Sequence, residues 1–155
     1  MGGKMEKRKM RFEDLWVWQE ARKLVQKIYA DFGNESPAKH DYKFKEQIFS
    51  AGYSIMNNIS EGFERESNAE KANFFKIAKG SSGEVRNMYY IAEDQKYVSS
   101  EIAEDRRAHA ENISKGLQKY RQAIYSSDPK LAKRLLRDID QLNQYLSDSS
   151  EDYIK

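Results

Sequence analysis

Side chains able to do chemistry are few in this sequence. Only His40 and His109 offer an imidazole, and no cysteine is present to act as nucleophile or thiolate ligand. His40 stands between Lys39 and Asp41, where a loop gives way to a helix. His109 lies on a helix dense in charge. Both read as surface residues rather than general bases. A carboxylate-bridged metal pair in a helical bundle needs Glu-x-x-His on two helices. Arg106 stands three residues before His109 and Pro37 three before His40, so that motif is missing from both places. Lys79-Gly80-Ser81 lacks the order and the strand-to-helix setting of a phosphate-binding loop. Glu61 and Glu64, three apart, read as a solvated helix end. The expectation is therefore a chain with no catalytic residue, no metal site and no cofactor, and not an enzyme.

Binding chemistry has more to work with. Phosphate recognition needs a basic surface. The candidates are Lys4, Lys7, Arg8, Lys9 and Arg11 near the start, then Lys71, Lys76 and Lys79, then Lys115, Lys119 and Arg121. Lys76 and Lys79 are three apart and share a helix face. Overall, 27 Lys and Arg offset 25 Asp and Glu, for a net charge of +2. This is well short of a dedicated nucleic-acid module. The charge is uneven, with a basic head over residues 1–11 and an acidic tail over 147–155.

These residues must be positioned by helices. A chain of 155 residues is one domain on length and can bury its own core without disulfides. Only Pro37 and Pro129 interrupt it, and apolar residues recur every three or four positions. A first helix is predicted over 12–32, with Leu15, Trp18, Ala21, Val25, Ile28 and Phe32 on one face, stopped by Gly33-Asn34. A second covers 41–61 on Phe44, Ile48, Ala51, Ile55 and Ile59, stopped by Gly62. The third opens on Ser67 and Glu70, a capping-box pair, and runs to about Tyr97. Its face is Phe74, Ile77, Ala78, Ser81, Val85, Met88 and Ala92. Gly80 and Gly83 fall inside it at about 1 kcal/mol each relative to alanine, a cost that suggests close approach of a neighbouring helix. A fourth helix starts at Ser99 or Ser100 and carries Ile102, Ala110, Ile113, Leu117 and Ile124 to Tyr125. Asp128 and Pro129 then suit the start of a fifth helix over 128–146, with Leu131, Leu135, Ile139, Leu142 and Leu146 as a heptad-like seam. Short connections make sequential helices antiparallel. The expected fold is all-α: an up-and-down antiparallel four-helix bundle over 12–125 with an additional C-terminal helix.

Trp16, Val17 and Trp18 are consecutive, so they spread around the first helix and need more cover than one core stripe gives. A subunit interface would supply it; so would the fifth helix. Asn58, Glu61, Arg65 and Glu84 are polar residues in otherwise apolar settings. They read either as a structural network, with Arg65 on Glu61 or Glu84 and Asn58 capping a neighbouring turn, or as a ligand cluster. No window is long and apolar enough for a membrane span, and no secretory signal opens the chain, so a cytoplasmic address is expected.

Three stretches carry a resemblance. They are Phe12-Glu13-Asp14-Leu15-Trp16-Val17-Trp18-Gln19-Glu20-Ala21, then Ser54-Ile55-Met56-Asn57-Asn58-Ile59-Ser60-Glu61-Gly62-Phe63-Glu64-Arg65, then Phe74-Phe75-Lys76-Ile77-Ala78-Lys79-Gly80-Ser81-Ser82-Gly83-Glu84. In this order and spacing the chain resembles the four-helix-bundle proteins of the ribosomal intervening-sequence family over residues 12–120. Ser50 and Ser60 depart from the family pattern, and the chain from Asp128 extends past the family's usual end. The resemblance implies the bundle fold, a homo-oligomer (a homopentamer in similar proteins), and an adaptor that binds RNA or DNA. The alternative from the residues is a scaffold that takes a protein partner on the C-terminal helix.

Overall fold

The computed structural model describes residues 8–126 and 129–130. Among these residues are one 3-10 turn, Phe12–Asp14, and the helices α1 (Trp16–Asp31), α2 (Tyr42–Glu64), α3 (Asn68–Asp94) and α4 (Ser100–Tyr125). Among the described residues there is no strand. Each helix packs on its neighbours in sequence, and α1 closes the ring onto α4. All four neighbouring pairs run antiparallel. Phe32 meets Phe44 and Tyr29 meets Tyr53. Ser54 faces Ser81, Arg121 reaches Ala72, and Lys27 meets Asp105. Pro129 and Lys130 are helical, but the rest of the expected helix over 128–146 lies outside the described residues. So do the acidic tail and Lys4 and Lys7.

Three of the helix starts carry a side-chain cap. Asp41, Ser67 and Ser99 each accept the amide of the residue three positions on, satisfying a backbone donor that the first turn leaves free. At Ser67 the return bond differs from a capping box, because the Glu70 carboxylate accepts from the Ser67 hydroxyl at 2.8 Å rather than from its amide. Asp41 also accepts from the Tyr97 hydroxyl at 2.7 Å, which ties the loop after α1 to the loop after α3.

Several expected boundaries shift. The first helix starts at Trp16, not Phe12, because Leu15 is extended (φ −73°, ψ 126°). The turn before it is held by the Arg11 amide on Asp14 and by the Gln19 side chain on the Glu13 carbonyl. Gly62 does not stop α2. It lies inside the helix, and a Cβ there would sit 2.9 Å from Phe74. The third helix ends at Asp94 because Lys96 turns left-handed (φ 63°). That lets the Tyr97 amide close back on the Ala92 carbonyl at 2.8 Å, the usual geometry of a helix stop at a glycine but here without one.

The core is aliphatic and aromatic. Leu24, Ile28, Ile48, Ile55, Ile59, Val85, Ile113 and Leu117 are fully enclosed, as are Phe32 and Tyr89. On α3 the predicted stripe is buried at Ala78, Ser81, Val85, Met88 and Ala92, while Phe75 and Tyr89 take the inward places expected of Phe74 and Ile77, and Ile77 is 44% exposed. Among the described residues nothing makes the expected close approach at Gly80 or Gly83: a Cβ on either meets none of their atoms within 4 Å. Close approach occurs instead at Gly116, which the periodicity did not single out. A Cβ there would fall 2.5 Å from the Trp16 ring and 2.8 Å from Val17.

Candidate functional site

Gly116 settles where the first helix's surplus apolar groups go. With no side chain at 116, α1 presses against α4 and the chain covers Trp16 and Val17 itself. Trp18 is half-buried, edge-on to Phe12 at 5.3 Å, with the Arg22 guanidinium over its ring. Among the described residues the cover for the three comes from α4 and the Phe12 turn. The argument for an interface at Trp16 and Val17 therefore loses its basis.

The family-pattern polar residues meet along the seam between α2 and α3. Ser54 and Ser81 share a hydrogen bond of 2.7 Å across it. The Asn58 amide donates to the Ser54 carbonyl and hydroxyl at 2.7 and 3.0 Å, so Asn58 braces its own helix rather than a neighbouring turn. Arg65 pairs with Glu61, approaches Glu70 at 4.0 Å, and lies over the Phe74 ring at 5.1 Å. Glu84 stays exposed and is not Arg65's partner. Beside this seam, Ile77, Gly80, Glu84, Asn87 and Ile91 recur at spacings of three and four. All five are exposed, which makes one solvent-facing stripe.

The opposite shoulder of α3 is basic. The Arg121–Ala72 bond at 3.1 Å, the Arg86–Glu111 approach at 4.0 Å and the Arg107–Glu93 pair at 2.6 Å fix the register of α4 on α3. That register brings Lys115 and Lys119 to the level of Lys76 and Lys79. The expected cations fare differently from one another. Arg8 is held by Asp14 and Arg11 by Glu13. Lys71 donates to the Phe63 carbonyl at 2.8 Å, and Arg121 to the Ala72 carbonyl. Lys115 approaches Glu111 at 3.7 Å. Lys9, Lys76, Lys79 and Lys119 form no ion pair with a described residue.

Two polar clusters were not legible as such. His109 is no surface residue: its side chain is 10% exposed and its Nε2 lies 2.7 Å from Glu20. Burial alone would raise the Glu20 pKa, but hydrogen bonds from His109 and Lys23 overcome it and lower the value to about 2. Deeper in the α1–α4 contact, Arg106 grips Asp31 with two bonds of 2.8 and 2.9 Å, and the Tyr89 hydroxyl donates to the same carboxylate at 2.8 Å. Burial first, and then Asp31, push the Tyr89 pKa far up. Both clusters cross between elements inside the bundle, so their work is structural. Among the described residues no three His, Asp or Glu groups could hold a metal ion.

The model of the 23S rRNA-intervening sequence proteins matches residues 13–119. The chain belongs to that family. The match spans all four helices up to the last turns of α4 and leaves the chain from Tyr120 outside it. Among solved structures, a protein of unknown function from the S23 ribosomal protein family of Bacteroides thetaiotaomicron shares the fold. It is 23% identical with a TM-score of 0.62, over 68% of this chain and 97% of that one. No curated protein matches the chain. No helix among the described residues is long and apolar enough to cross a membrane.

Proposed function

We propose that this family member is a non-catalytic, self-associating bundle that binds the phosphate backbone of RNA or DNA on the α3–α4 face. One observation carries the reading: Lys76, Lys79 and Lys119 share one shoulder of the bundle and form no ion pair with a described residue. Lys115, only loosely engaged by Glu111, adds a fourth charge, whereas Arg107 is paired with Glu93 further along α3. Arg8, Arg11, Lys71 and Arg121, by contrast, stabilise the fold where they stand. The binding surface is thus smaller than the sequence suggests and contains few charges, so affinity from one subunit is modest. Self-association multiplies it, and the exposed stripe from Ile77 to Ile91 offers the surface for that.

Fluorescence anisotropy with a short ribosomal RNA fragment tests the reading, alongside light scattering for mass. If about four lysines release counterions, affinity falls roughly 50- to 150-fold between 50 and 200 mM salt. Charge reversal at Lys76, Lys79 and Lys119 should abolish binding while leaving the thermal transition in place. Binding unchanged by that triple substitution, or no binding at low salt, overturns the proposal.

A further inference from the structure

The stripe on α3 leaves an energetic question open. Gly80 and Gly83 lie mid-helix and each costs about 1 kcal/mol relative to alanine, yet a Cβ at either position touches nothing. Ile77 and Ile91 lie on the same solvent-facing stripe as Gly80. Glu84, between them, meets no cation among the described residues. Such a face fits a helix lying close along it, with the glycine admitting a large side chain.

We infer that the occupant is the chain's own C-terminal segment, residues 129–146, docked along the α2–α3 side of α3. Three observations converge on it. First, the chain leaves α4 at the right place. Asn68, the first residue of α3, reaches the Ile124 carbonyl at 3.5 Å, so α4 ends at the α3 start, and a segment that folds back from there would follow α3 in its own direction. Second, the lengths agree. At 1.5 Å per residue the segment spans about 27 Å as a helix. Gly80, twelve residues into α3, comes level with Gln141, between the seam residues Ile139 and Leu142. Third, the charges agree. Lys130, Lys133, Arg134 and Arg137 occupy the segment's first half, and at the end of the bundle where it starts Glu64 and Glu66 are exposed beside Glu61 and Glu70, which share the single cation Arg65. The seam Leu131, Leu135, Ile139, Leu142 and Leu146 supplies the apolar face.

The inference takes from the reading above only that this face is an association surface. It adds that the segment, which lies beyond the matched residues 13–119, competes with a second copy for it. Assembly is then conditional on the segment leaving.

The absence of native cysteine makes a direct test clean. Gly80→Cys is paired with Ile139→Cys in one full-length variant and with Leu142→Cys in another, bracketing the register. Oxidation at low protein concentration should close a disulfide within one chain in at least one variant, seen as a single-chain mass with no reactive thiol. No disulfide in either variant, or disulfides only between chains, overturns the inference. Trypsin digestion gives an independent readout that needs no oxidation. Gly80→Leu should fill the docking site and speed cleavage after Lys133, Arg134 and Arg137 several-fold. Cleavage as slow as in the unaltered chain contradicts docking at Gly80. Both readouts are independent of RNA binding, so a failure here leaves the lysine face standing, and a failure there leaves the docking standing.

Discussion

Two glycines on facing helices should respond to the same substitution with opposite signs. Gly116→Ala puts a methyl 2.5 Å from Trp16 Cζ3 and 2.8 Å from Val17 Cγ1, both in side chains that are nearly or fully buried. Neither can yield cheaply. The ring is wedged between α1 and α4, and Val17 is branched and enclosed. Better helix propensity returns about 1 kcal/mol. Overpacking of this kind costs about 1–3 kcal/mol, occasionally more. At the upper part of that range the balance is a loss of about 1–2 kcal/mol, or roughly 2–8 °C in Tm for a chain of this size. At Gly83 the added methyl meets nothing, and the propensity gain of up to about 1 kcal/mol stands alone. Urea unfolding followed by circular dichroism at 222 nm measures both. A Gly116→Ala protein as stable as the parent would refute the close packing of α1 on α4. The two substitutions shifting in the same direction would refute the assignment of Gly116 as buried and Gly83 as open.

Further outcomes follow from the polar clusters and the α3 stop. Glu20→Gln should cost roughly 2–3 kcal/mol at pH 6, because a carboxylate lowered to about 2 from its ordinary value near 4.5 stabilises the fold fully above that value. The deficit should fade as pH drops from about 4.5 towards 2, and acid titration of both proteins by tryptophan fluorescence would show a constant deficit if the pairing were absent. Asp31→Asn removes the partner of Arg106 and Tyr89 together and should cost about 3 kcal/mol. Tyr89→Phe should cost only about 1 kcal/mol, so chemical denaturation giving equal losses would contradict the arrangement. Lys96→Gly relieves a left-handed residue (φ 63°) and should raise stability by up to about 1 kcal/mol. A lower Tm in calorimetry would contradict that.

The helices were legible because their core faces repeat cleanly. Ile48, Ala51, Ile55 and Ile59 on α2 fall on the predicted stripe and are buried. The caps at Ser67 and Ser99 were legible because their side chains act within three residues, while Asp41, read as the first residue of its helix, caps it instead. What escaped depends on partners distant in sequence. His109 reads as polar on its own helix, and only the approach of α1, 89 residues earlier, supplies Glu20. Gly116 carries no periodic signal, since its value lies in what it lets Trp16 do. Gly80 shows the converse, a glycine whose expected neighbour is not among the described helices. The basic face shrank for a related reason. Lys71 and Arg121 look like any other cation in sequence, but carbonyls at the ends of packed helices engage them.

The slope of log affinity for RNA against log salt, for the parent and for a neutralised variant carrying Lys76→Gln, Lys79→Gln and Lys119→Gln, tests the lysine face most directly. Each lost phosphate contact should flatten the slope by about 0.7 to 0.9, so the variant should lie about 2 to 3 below the parent. Equal slopes would place the nucleic acid elsewhere on the bundle, and a flat line for the parent would remove it from the account.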